Sequence, residues 1–223
     1  MRKYTKDDIQ KPTKEIIKCC IKKFDEQEET NEKTIAMVFK AFNNDNPEHV
    51  LSKVAVLNSL YSARLNNTQN EDDKMVDVLS MANYIGNNKE FFNNTSHSET
   101  DVIEWVDKTR THFKSEGKNS PYSFLTKYCA WSFPTLNIPI VDSYTKAMLY
   151  YINEFYPYFS RKFYRYEINN EKDGFDVKYS FFCEVFAKFK EVHAQNFNYK
   201  EIDKYLWYYG KHGKEGVNKP IQF

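Results

Sequence analysis

Two residues of this sequence could do chemistry together: Lys127 and Asp142, fifteen positions apart, on either side of the apolar, proline-interrupted segment 133–141. Lys127 falls in a helical pattern among large apolar neighbours. An amine is a nucleophile only when unprotonated, and burial among apolar groups lowers the pKa of a lysine. Asp142 stands where the segment gives way to a helix, and a fixed carboxylate can stabilise positive charge that develops on a reacting carbon. Each also has an ordinary interpretation, because Asp142 before Ser143 is a good N-cap and most helix lysines are exposed.

The elements that must position these residues are helices, because apolar residues recur at helical spacing through nearly the whole chain. Two helices are predicted before residue 45, one after Pro12 and one after Asn31. Ser98 with Asp101 resembles a capping pair that opens a helix. Further helices are predicted near 47–65, 75–85, 98–106, 121–132, 142–155, 177–195 and 199–209, the last ending at Gly210. A short hairpin could lie within residues 166–176. The pattern therefore predicts an all-α fold of many helices.

Length and composition favour one domain. The chain has 223 residues, 41% hydrophobic, with 6 Gly and 7 Pro, which excludes a collagenous or broadly disordered protein. We expect a single all-α domain over 1–223, with N-terminal helices in 1–45, the core in 46–210 and a tail in 211–223. An arrangement of two helical lobes with a cleft between them is the alternative within this class.

Cysteine spacing and hydropathy bear on the compartment. The four cysteines have no CxxC spacing, so neither a zinc site nor a cysteine-ligated iron–sulfur cluster is predicted. The first residues lack the apolar run of a signal peptide, and no stretch of about eighteen apolar residues occurs. We therefore expect a cytoplasmic protein without metal or organic cofactor and without a membrane association.

Charge is segregated along the chain although the net charge is only +1. Residues 71–107 carry nine acids against two lysines, a net of −7, and residues 108–127 carry five bases against one acid, a net of +4. A polyanion could use such a local basic field. On charge alone, a solvated helix face is the simpler interpretation.

The segment around Lys127 and Asp142 resembles the helix-hairpin-helix DNA glycosylase superfamily, and most closely its 8-oxoguanine DNA glycosylase branch. Thr126-Lys127 pairs with that branch's Thr-Lys, and the run from Pro139 to Asp142 (Pro-Ile-Val-Asp) pairs with its Val-Pro-Val-Asp once a few loop residues are removed. Upstream, Ala63-Arg64-Leu65 is similar to an Ala-Arg-Ile of the helix that faces the DNA. The resemblance spans about residues 48–150, and the ending EIDKYLWYYGK is similar to small bacterial members.

The resemblance implies a role for each matched residue. Lys127 would be the nucleophile that displaces the base, and Asp142 would stabilise the positive charge that builds on the sugar. Arg64 would contact the strand opposite the lesion. The extruded base needs a stacking face. Trp131, one helical turn after Lys127, matches a pocket-lining residue of the branch, and Trp207 in the last helix is a second candidate. Predicted phosphate contacts are Lys118, Ser123 and Lys146.

One departure from the family pattern concerns DNA binding. Family members carry a Leu-Pro-Gly-Val-Gly hairpin before the lysine, whose backbone amides grip a phosphate, whereas this chain has Pro-Tyr-Ser-Phe-Leu at 121–125. Without glycines the backbone cannot form the same turn or approach a phosphate as closely. Side chains such as that of Ser123 would have to hold the phosphate instead.

These observations lead to one expectation and two alternatives. We expect a monomeric DNA base-excision glycosylase, with or without AP lyase activity, that acts on an altered purine in double-stranded DNA. The first alternative is a catalytically inactive DNA-binding or protein-interaction module on the same scaffold. The second is a helical interaction protein with no nucleic-acid role.

Overall fold

The structure is a computed structural model that describes residues 4–61, 65, 76–116, 121–160 and 178–218. These residues contain helices and no strand, which confirms the all-α class. The predicted hairpin at 166–176 lies outside them. A 3₁₀ turn at Lys6–Asp8 precedes the α-helices of the described residues. They are α1 (Lys14–Ala41), α2 (Pro47–Leu60), α3 (Val78–Asn87), α4 (Lys89–Asn93), α5 (Glu99–Ser115), α6 (Tyr122–Ser132), α7 (Ser143–Phe155), α8 (Tyr179–His193) and α9 (Tyr199–Asn218).

The first helix corrects one prediction. Two helices were expected before residue 45, but α1 runs without a break over 28 residues. The intervening stretch 25–34 has no apolar side chain on which a periodicity could be recognised. It also has no Pro or Gly, and it is rich in Glu, Gln and Lys, which favour helix. Helical propensity therefore continues α1 where the hydrophobic pattern stops.

Polar caps fix where several helices begin. The Asn46 side chain accepts a hydrogen bond from the Glu48 N–H at the start of α2, with Pro47 in the first turn. The predicted capping pair of α5 is confirmed, because Ser98 and Asp101 form a reciprocal capping box. Local sequence thus determines these helix starts.

The chain divides into two compact units. The central unit comprises Thr30–Ile138, and the terminal unit comprises Met1–Glu29 with Pro139–Phe223. In the central unit, α2 packs on α3 and α6, and α5 packs on α6. The fully buried side chains of its core include Val54, Leu57, Met81, Ile85, Val106, Phe124 and Leu125.

In the terminal unit, α7 packs against α8 and, most extensively, α9. Gly210 was predicted to end the last helix, but α9 continues to Asn218. The glycine is a packing residue instead, because a Cβ there would lie 2.8 Å from the Cβ of Tyr144 and 3.0 Å from its carbonyl oxygen. Residues 211–218, assigned to a tail from the sequence, are therefore helical apart from a break at Gly213, whose φ of 64° favours glycine.

No helix among the described residues combines the length and the apolar character needed to cross a lipid bilayer.

Candidate active site

The side chain of Lys127 is buried in the central unit. It is 3% exposed, so the ordinary interpretation of an exposed helix lysine does not hold. Its Nζ lies 3.2 Å from the carbonyl oxygen of Tyr61 and 5.4 Å from the centre of the Tyr61 ring. Tyr61 is the C-cap residue of α2, where helix carbonyls carry partial negative charge. The amine is thus held at the C-terminal end of α2 by a carbonyl and an aromatic face.

Trp131 is half-buried on the next turn of α6, close to the same tyrosine. Its ring centre lies 6.4 Å from that of Tyr61 and 6.3 Å from that of Phe39, and both neighbouring rings are tilted against it. The Tyr61 hydroxyl donates to Glu32 Oε1 at 3.1 Å, which orients that ring. A buried amine and a partly exposed aromatic surface therefore occur side by side on α6.

A second buried lysine, Lys53 on α2, was not identified from the sequence. It is 3% exposed, its Nζ donates to Asn44 Oδ1 at 2.8 Å, and it lies 5.5 Å from the centre of the Phe39 ring. Burial lowers the pKa of Lys53 to about 8. The sequence did contain a signal for this burial. Val50 and Leu57, which are apolar residues of the helix predicted near 47–65, stand three and four positions from Lys53 and place it on the same, buried helix face.

Asp142 opens α7 in the terminal unit. Its carboxylate Oδ1 accepts a hydrogen bond from the Tyr144 N–H at 2.8 Å, so it is the N-cap that the sequence predicted. The side chain is only half-buried. Capping fixes the orientation of the carboxylate, which is what electrostatic stabilisation of a nearby cation requires.

The indole of Trp207 lies near this start of α7. The Tyr144 ring centre is 6.0 Å from that of Trp207, and Phe24 of α1 approaches it to 5.3 Å, both nearly perpendicular to the indole. The Lys211 Nζ lies over the indole, 4.3 Å from its centre. Through Tyr144, the terminal unit thus brings the aromatic surface of Trp207 close to the helix start that Asp142 caps.

The remaining predicted residues have simpler positions. Ser123 lies half-buried in the first turn of α6, where its carbonyl accepts from the Thr126 hydroxyl at 3.2 Å. Lys146 lies half-buried in the first turn of α7, and its N–H donates to the Asp142 carbonyl at 2.9 Å. Two further predicted DNA contacts, Arg64 and Lys118, lie outside the described residues.

Lys127 belongs to the central unit and Asp142 to the terminal unit. Their meeting across one cleft stays a prediction. Within the described part of the chain, no three His, Cys, Asp or Glu side chains are grouped so that they could hold a metal ion. The four cysteines are free thiols, of which Cys20 and Cys129 are buried.

Comparison with known proteins places the chain in a family. Residues 14–136, more than half of the chain, match the family described as HI_0787_N: N-terminal domain, and the chain belongs to that family. It is also similar to an uncharacterized protein of Haemophilus influenzae, with 38% identity over 92 residues. That match covers 40% of this chain and only 37% of the relative. No solved structure matches the chain.

Proposed function

We propose that this protein is a DNA base-excision glycosylase that removes an altered purine, with Lys127 as the nucleophile and Asp142 as the electrostatic stabiliser. The observation that carries the proposal is the burial of Lys127, which is 3% exposed and lies beside the partly exposed ring of Trp131. A nucleophilic lysine acts on a substrate that is held against it, and the neighbouring indole offers a surface on which an extruded base can stack.

The proposed reaction gives each group a defined task. The neutral Lys127 amine forms a bond to the sugar carbon that held the base, while the bond between that carbon and the base breaks. The base leaves with the bonding electrons and is protonated, and the lysine nitrogen loses a proton. Positive charge builds on the sugar during this step, and the Asp142 carboxylate stabilises it. Ring opening of the sugar then gives a Schiff base on Lys127.

Aromatic surfaces in both units support binding of an extruded base. Trp131 is adjacent to Lys127 on α6, and Trp207 contacts Tyr144, two residues after Asp142. Stacking on an aromatic ring is a general way to hold an unpaired base. Double-stranded DNA with a damaged base is therefore the proposed partner of a monomeric protein. The free thiols of all four cysteines support a cytoplasmic location.

One contact favours the alternative of an inactive module on the same scaffold. The Lys127 amine donates to the Tyr61 carbonyl at the end of α2, an arrangement in which an ammonium neutralises a helix C-terminus. A lysine retained for this structural purpose would need no reaction. In that case the protein would bind DNA, or another protein, without cleaving a glycosidic bond.

Borohydride trapping separates these possibilities. Protein incubated with borohydride and duplex oligonucleotides that contain an oxidised purine or an abasic site should give a covalent adduct through Lys127. The Lys127→Gln variant should give none. Lys53→Gln is the matched control, since it removes the other buried lysine among the described residues of the central unit, and it should retain the adduct. An adduct that survives Lys127→Gln would remove Lys127 from its role, and binding without any adduct would favour the inactive module.

A further inference from the structure

A lysine side chain covers one face of the Trp207 indole. The Lys211 ammonium lies 4.3 Å from the ring centre, one helical turn further along α9, and the Lys211 side chain is exposed. Two rings, Phe24 and Tyr144, approach the indole nearly perpendicular to it. The position of the indole is therefore fixed by packing, while the face beneath Lys211 is covered by a side chain that solvent reaches.

A nucleobase can replace the lysine side chain on such an aromatic face. An exposed cation held on an aromatic ring contributes little interaction free energy, because water solvates the ammonium well. A nucleobase stacked on the same ring contributes more interaction free energy. The ammonium that it displaces can then bind a phosphate. Lys204, one turn before Trp207, is already paired with Asp25 of α1, so that pair adds little net charge beside the ring.

We propose that Trp207 and Lys211 bind one nucleotide of a single DNA strand, with the base stacked on the indole and the Lys211 ammonium moved onto a neighbouring phosphate. The inference rests on the proposed function for its partner, DNA, and adds the way in which a strand is held. Since Tyr144 touches Trp207 and donates its N–H to Asp142, the bound nucleotide would lie at the start of α7.

Fluorescence anisotropy with a labelled oligothymidine strand, measured at several salt concentrations, tests this. Lys211→Gln should weaken binding about threefold to tenfold and reduce the slope of log K against log salt by about 0.7, the value for one phosphate contact on a single strand. Trp207→Phe should weaken binding up to about tenfold without changing that slope, because it alters stacking and no charge. Lys188→Gln, which removes an exposed lysine of α8 that is paired with Glu191, is the matched control and should bind like wild type.

Binding by Lys211→Gln with wild-type affinity and salt slope would overturn the inference, and so would a wild-type protein that does not bind the strand. Because Lys211 is exposed, its replacement is not expected to unfold the protein. Strand binding that depends on Lys211 in a protein that forms no adduct would refute the glycosylase chemistry and leave this surface intact.

Discussion

The buried Lys53 ammonium should make stability depend on pH in a specific way. The amine is 3% exposed, and burial lowers its pKa to about 8 from an ordinary value of 10.5. Between these values the unfolded chain binds more protons than the folded one, so the free energy of unfolding rises with pH. With those two pKa values, the contribution of Lys53 should rise by about 2 kcal/mol between pH 7 and pH 9.5.

Lys53→Met isolates this contribution, because methionine fills similar space without a titrating group. Urea unfolding of wild type and variant should be followed by circular dichroism at pH 7, 8, 9 and 9.5. The difference between their free energies of unfolding should move in favour of wild type by about 2 kcal/mol over this range. Lys40→Gln, at an exposed position at the end of α1, should run parallel to wild type. A difference for Lys53→Met that stays constant within about 0.5 kcal/mol would refute the argument that burial disfavours the charge.

Three further predictions concern packing and caps. Gly210→Ala should lower the free energy of unfolding, measured in urea, by about 1–3 kcal/mol, since the added Cβ would lie 2.8 Å from an atom of α7. Gly86→Ala is the control, because a Cβ there would have no atom within 4 Å, and it should be neutral or slightly stabilising. Asp142→Asn should keep the cap and the thermal stability but lower single-turnover base release roughly a hundredfold, and Asp142→Ala should lose about 1 kcal/mol of stability as well; full base release by the Asn variant would reject the catalytic role. Asp77 is the N-cap of α3, and hydrogen bonds from the Ser80 N–H and hydroxyl lower the pKa of its carboxyl. The stability that this cap adds to α3 is therefore present above the ordinary pKa and is lost as pH falls through the lowered value. Asp77→Ala should therefore cost about 1 kcal/mol at pH 7, and thermal unfolding should show this difference shrinking below pH 3.8.

Much of the fold could be predicted because its signals are local. The capping box of Ser98 and Asp101 and the cap at Asp142 each depend on residues within three positions of one another. The prediction of two helices before residue 45 was wrong because α1 continues through a polar stretch that has no hydrophobic period. The predicted stop at Gly210 was wrong because the glycine accommodates a neighbouring helix, and that contact with Tyr144 joins distant parts of the sequence.

The candidate site was less predictable because its contacts join residues that are far apart in the sequence. The apolar neighbours of Lys127 in sequence suggested desolvation, and the side chain is buried. Lys127 and its contact residue Tyr61 are 66 positions apart in the sequence, and nothing in the local pattern indicates this contact. Lys211 was placed in a tail, although its position four residues after Trp207 puts both on one helix face once the helix is known to continue.

The nucleophile itself can be located directly. Protein trapped with borohydride on a duplex that contains an abasic site should be digested with trypsin, and the cross-linked peptide identified by mass spectrometry. We predict that the sugar remnant is attached to Lys127. Attachment to Lys53 or to any other lysine, with Lys127 unmodified, would contradict it.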